Sequence, residues 1–167
     1  RIAHTDDAIL VHYKVKEASV RAVAAGDNGA VWEDACVEFF SIPAGDGIYY
    51  NVECNCAGIL LIGAGAGREN REHAPQEVMD KVQRWSSLGR QSFEERVGEC
   101  NWELALVIPY SAFFKHQITS LDGKTVRANF YKCGDKLQTP HFLSWNPIAL
   151  EKPNFHCPEF FGTLNFE

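Results

Sequence analysis

Several things are scarce in this chain. No apolar run approaches the 18 or so residues that a membrane-spanning helix requires. Basic residues do not outnumber acidic ones, and the net charge is −6. The one stretch that gathers Arg68, Arg71, Lys81, Arg84 and Arg90 interleaves them with Glu69, Glu72, Glu77 and Asp80. Such a stretch is a solvated face, and the balance excludes a nucleic-acid backbone as partner, because that affinity comes from clustered cations releasing counterions. No C-x-x-C pair is present to suggest a zinc ribbon, and no loop has the ligand spacing of an EF-hand. Methionine occurs once, at Met79. There is no fixed-period repeat, linker or low-complexity tract, so one domain is expected over residues 1–167.

What is there describes a folded β protein. A hydrophobic share of 46% with 23% charge excludes disordered and collagen-like chains. At 167 residues, roughly 70% of the unfolded surface can be buried without a staple. Six cysteines are an even number, and the sequence leaves open whether they are buried thiols or disulfides. Cys54 and Cys56 share a strand face, where a direct bond would be strained.

Period-two alternation and β-branched or aromatic enrichment predict strands over 8–15, 19–23, 36–42, 48–53, 58–62, 92–97, 102–108, 125–132, 142–145 and 160–166. Gly- and Asp-rich turns separate them, as in Gly26-Asp27-Asn28-Gly29 and Leu121-Asp122-Gly123. Short helices are expected over 76–84 and 110–116, and a long polar loop over about 63–91 interrupts the strand order. The class is therefore all-β, an antiparallel β-sandwich with one long inserted loop and one or two short helices. Val37, Phe39, Leu104, Leu106, Ile108, Phe130, Leu164 and Phe166 lie on apolar strand faces and are expected in its core, as is Trp102.

Trp32 and Glu38 carry the most chemistry. An indole offers a flat apolar face to the C–H side of a pyranose, and a nearby carboxylate accepts hydrogen bonds from the hydroxyls at its rim. A Trp is also a common cover for a core edge. Alternation puts Cys36, Glu38 and Phe40 on one face, so Glu38 either meets an Arg or looks into a wet groove, since an isolated buried charge is too costly. Asn51 and Glu53 are placed to be its cross-strand neighbours. Arg127 and Asn129 share a polar face of the 125–132 strand, which suits either a binding surface or a solvated one. Trp145 is held by Pro147, which extends Asn146. Trp85 falls in the long loop as a third ligand contact or a plug. His141 and His156 flank Trp145 and read as structural residues.

These segments together resemble a known family. Trp32-Glu33-Asp34-Ala35-Cys36-Val37-Glu38-Phe39-Phe40, Tyr49-Tyr50-Asn51-Val52-Glu53, Trp102 to Pro109, Ala128 to Lys132, Ser144-Trp145-Asn146-Pro147 and Phe161 to Phe166 follow one another as in carbohydrate-binding module family 9 and the family-9-like domains among the DOMON-like β-sandwiches. The resemblance implies a jelly-roll-like sandwich that binds carbohydrate without catalysis. Two tryptophans would clamp the sugar, Trp32 and Trp145 facing each other, with Glu38 on its hydroxyls. An arginine of the family's site corresponds to Arg68, Arg71, Arg84 or Arg90. The ligand would be a mono- or oligosaccharide, such as the end of a plant polysaccharide like xylan or of a host polysaccharide. Calcium can be a structural ion in the family, and no ligands for it are assigned. A secreted, periplasmic or cell-surface location follows from the same resemblance.

Two other classes compete. A glycoside hydrolase needs two carboxylates roughly 5–9.5 Å apart, and Glu38 with Glu53 is the best available pair, although neither lies in a catalytic motif. Some DOMON-like domains bind haem, and a Met/His ligand pair would depend on Met79.

Overall fold

The computed structural model describes Arg1 to Glu167. Two antiparallel sheets face each other. The smaller has the order β1 (Ile2–His4), β2 (Ala8–Ala22), β8 (Phe93–Pro109) and β7 (Gln83–Ser86). The larger runs β10 (Phe142–Ser144), β9 (Thr125–Cys133), β3 (Cys36–Ile42), β4 (Tyr49–Asn55), β5 (Leu60–Gly65) and β6 (Glu72–His73), with β11 (Gly162–Asn165) sharing the β10 edge of β9. The expected sandwich is observed.

The core lies between the sheets because one alternate set of side chains from each strand is apolar. Val37 and Phe39 of β3, Val52 of β4, Ile62 of β5 and Ala128 of β9 meet Trp102, Leu104, Leu106 and Ile108 of β8. Phe166 belongs to the same cluster, and Phe130 and Leu164 pack against it half-buried. Trp102 is 2% exposed, and its indole N–H donates to Glu17, so its polar edge is satisfied on burial.

The region expected to be a long loop contains short elements of its own. After β5 it contains β6, the single turn α1 (Gln76–Met79) and β7. The predicted helix over 76–84 ends early, because residues from Gln83 pair with β8. The second predicted helix is reduced to a 3-10 turn over Tyr110–Ala112. The strands predicted at 92–97 and 102–108 are one, β8, which stays paired with β2 through two register shifts. Gly98, at φ 130°, lets that strand carry the irregularity, a backbone region that side chains rarely adopt.

In β3 and β4 almost every residue is buried. A strand half-buried against one core would alternate, so the outer face of the larger sheet must be covered as well. Phe40, Tyr49, Tyr131 and Phe161 form a second apolar cluster there, with Phe155 and Ile148 of the 145–161 segment laid over it. Beside this cover the outer face is open.

Candidate functional site

The open part of that face is a cavity of about 430 Å³. Its floor is made by residues that alternation directs away from the core: Glu38 on β3, Asn51 and Glu53 on β4, Leu61 on β5 and Cys133 on β9. Glu38 and Glu53 are directly opposite in the β3–β4 register and are 3% and 4% exposed. Burial pushes both carboxyls up: Glu38 well above the usual carboxylate range, with Cys133 and Glu53 adding to the effect, and Glu53 to about 7, with Asn51 and Arg71 pulling the other way.

Trp32 forms one wall. It sits in a 3-10 turn, Val31–Glu33, just before β3. Asp34 fixes that turn, its Oδ2 accepting from the backbone N–H of Val23 and Ala24 and from Asn55 Nδ2 at 2.9–3.0 Å. From the other side, the Asp135 N–H donates to the Trp32 carbonyl at 3.1 Å. The backbone is thus pinned while the indole stays 39% exposed toward the cavity. This accounts for the Trp-x-Asp spacing in the sequence.

Arg71 and Arg68 line a second side, beside His73. Arg71 is tightly held. Its Nη2 donates to the Tyr49 carbonyl at 2.9 Å, its Nη1 to the Gly67 carbonyl at 2.8 Å, and its Nε to Asn51 Oδ1 at 2.9 Å. The guanidinium carbon is 3.9 Å from the centroid of the Tyr49 ring. Of the four arginines left open by the sequence, these two reach the cavity. Arg84 is buried in a pair with Asp27, and Arg90 lies over Gly58.

Aromatic residues close the cavity from the remaining side. Phe142 comes from β10, and Phe155 stacks on Tyr131 with ring centroids 4.1 Å apart. His156 accepts from, or donates to, the Tyr49 hydroxyl at 2.8 Å, and burial together with Arg71 and Arg68 lowers it to about 4, so it is neutral at ordinary pH. Phe142, Phe155, His156 and Asp135 line the cavity without belonging to any motif that marks a ligand contact. The only sequence signal for them is the density of aromatic and polar residues after β9.

Four candidate residues lie elsewhere. The Trp145 indole is edge-on to Phe130, whose own ring stacks on Phe39 in the core, and it crowds the bare Cα of Gly162, which is paired with Ala128. Trp145 is therefore on the core side of the sheet edge, on the reverse of Glu38, and does not face Trp32. Arg127 donates to the carbonyls of Pro158, Glu159 and Phe161, and Asn129 exchanges hydrogen bonds with the backbone of Asn146. Both anchor the covering segment. Trp85 is exposed on β7, opposite Ala105, on the outer face of the other sheet.

The profile of carbohydrate-binding family 9 matches residues 1–166. The chain belongs to that family. This family 9 module is a non-catalytic carbohydrate-binding protein. Its fold is shared with a crystal structure of a presumed carbohydrate-binding protein from Bacteroides uniformis, at 72% identity and a TM-score of 0.98, over 100% of this chain and 77% of that one. A family 9 module from Caldicellulosiruptor kristjanssonii, solved in complex with glucose, matches at 10% identity and a TM-score of 0.60, over 100% of this chain and 74% of that one. No curated protein matches the chain.

The other groups considered for the module fare differently. Met79 is fully buried in the core, away from the cavity, so it cannot ligate haem there. In two of the Asp-containing turns the carboxylates already have partners: Asp27 binds Arg84, and Asp46 binds His116 and the Ile48 N–H. Those carboxylates are already neutralised or hydrogen-bonded within the protein, and they do not fit a dedicated calcium cage. No helix is long and apolar enough to cross a membrane.

Proposed function

We propose that the cavity is the sugar site, that Trp32 stacks on one face of a pyranose, and that Glu38, Asn51, Glu53 and Arg71 hydrogen-bond its hydroxyls. The observation that carries this reading is the convergence of Trp32 with Glu38, Asn51 and Glu53 on one cavity of about 430 Å³, a size in the ordinary range for ligand pockets. The buried carboxyls lack ion-pair partners, and the hydroxyls of a sugar can hydrogen-bond to them. Phe142 and Phe155 supply the apolar surface that the expected Trp145 clamp does not. Trp145, Arg127 and Asn129 then act on binding through the segment they hold.

A pocket closed on three sides suits the end of a chain better than its middle, so the proposed ligand is the terminal unit of an oligo- or polysaccharide, with glucose and xylose ends as the first to examine. Residues 1–167 act as one binding domain in this reading, and work on polysaccharide outside the cytoplasm, secreted, periplasmic or at the cell surface, is its setting. Calorimetric titration with glucose, xylose and their β-linked oligomers tests it, using wild type, Trp32→Ala and Glu38→Gln. Binding that is unchanged in both variants would overturn the assignment.

A further inference from the structure

Cys36 and Cys133 are directly opposite on β3 and β9, and alternation directs both to the outer face that carries Glu38. The two sulfurs and a Glu38 carboxylate oxygen all lie within 4.8 Å of one another, and the Cys133 sulfur is 3.1 Å from Glu38 Oε1. All three residues are buried. We propose that Cys36, Cys133 and Glu38 form a binding site for a thiophilic divalent cation of the zinc class, with its fourth coordination position open to the cavity. The site shares Glu38 with the proposed sugar site but does not depend on it.

Geometry and charge both favour a metal. Tetrahedral zinc holds sulfur at about 2.3 Å and oxygen at about 2.0–2.2 Å, which sets neighbouring ligand atoms roughly 3.5–4 Å apart. The three ligand atoms, all within 4.8 Å of one another, lie close to that spacing. Two thiolates select a soft or borderline cation over calcium, which wants a shell of oxygens. No lysine, arginine or histidine ion pair competes for the Glu38 carboxyl. Glu38 and Cys133 line the cavity, which gives the cation its entry path and leaves the fourth position for water or a ligand hydroxyl.

The test uses the full chain, reduced and stripped of metal by chelation, titrated with cobalt(II) as a coloured replacement for zinc. The expected result is one equivalent bound with a sulfur-to-metal charge-transfer band, displaced by zinc, absent from Cys36→Ser and Cys133→Ser and retained in Cys54→Ser and Cys100→Ser. Zinc X-ray absorption on wild type guards against variants that fail to fold, and two sulfurs in the first shell are expected. A nitrogen and oxygen shell alone, a band that survives in Cys133→Ser, or, in protein isolated without reductant, a mass lower by two hydrogens that maps to a Cys36–Cys133 disulfide would each overturn the site. Sugar titration of the metal-free protein keeps the two readings apart: sugar binding without metal binding removes only this inference, and the reverse removes only the sugar site.

Discussion

Arg71 holds Asn51 from two directions, its Nε and Nη2 both donating to Asn51 Oδ1 at 2.9 and 2.6 Å. Asn51 Nδ2 then donates to Glu53 Oε1 at 2.8 Å, so the guanidinium orients the amide and the amide orients the acid. Replacing Arg71 by Lys keeps the charge but loses the planar fork that serves Asn51 and the Tyr49 and Gly67 carbonyls together. Arg71→Lys should cost about 1–3 kcal/mol of stability from the carbonyls left unpaired. It should also weaken sugar binding by about tenfold or more, read by denaturant unfolding and calorimetry on the same sample.

Gly63 is where the same chain of bonds can be broken from the opposite strand. It pairs with Asn51 across β4 and β5, and a Cβ there would be 2.6 Å from Asn51 Oδ1. The amide would have to turn away, releasing both Arg71 and Glu53. Gly63→Ala should therefore reproduce the binding loss of Asn51→Ala, and the double variant should lose little more than either alone, which is the signature of one shared network. Additive losses in a double-mutant cycle would show that Gly63 acts elsewhere.

The sandwich and the floor of the site were legible because period two assigns faces without any tertiary knowledge. Cys36 to Ile42 matched its predicted bounds, and Glu38, Asn51 and Glu53 came together on the cavity as their alternation required. The same rule says less at the sheet edge. The predicted strand over 142–145 contains Trp145 and sets it on the face opposite Phe142 and Ser144, but alternation does not say which face meets the core, and the structure turns Trp145 to Phe130 and Gly162 on the core side. Val78, Met79 and Val82 have helical spacing, yet pairing with β8 decided the fate of the residues that follow. Phe155 and His156 reach the cavity from an irregular segment whose course is set by Arg127 and Asn129, contacts that no local periodicity encodes.

Trp32 and Trp145 should now behave differently. Trp32 has a pinned backbone and a free ring face, so Trp32→Ala should leave stability within about 1 kcal/mol. A lost stacking face of about 0.5–1.5 kcal/mol corresponds to roughly tenfold weaker sugar binding, taking aromatic stacking as the scale. Trp145 is 52% exposed but packs on Phe130 and Gly162, so Trp145→Ala should cost about 1–3 kcal/mol of stability and change sugar affinity much less. Equal binding losses in the two variants, with stability unchanged, would restore the two-indole clamp.

His156 gives the protein an acid-sensitive joint between the covering segment and β4. Its neutral ring meets the Tyr49 hydroxyl and packs beside Phe40, while Arg71 and Arg68 oppose a second positive charge. With its value lowered to about 4 from 6.5, the unfolded chain binds this proton more readily than the native one between those pH values. The histidine's contribution is therefore fully present above pH 6.5 and is lost as pH falls toward 4, by up to about 3 kcal/mol before allowing for its partial exposure. Other buried groups titrate in the same range, Glu53 with the opposite sign, so the informative quantity is the difference between wild type and His156→Gln. Gln can still accept from the Tyr49 hydroxyl but cannot gain a proton. Unfolding free energies measured at pH 7 and pH 4 should show wild type losing more stability than the variant, by about 2 kcal/mol. A pH dependence that is the same in both proteins would mean that His156 carries its proton into the folded state.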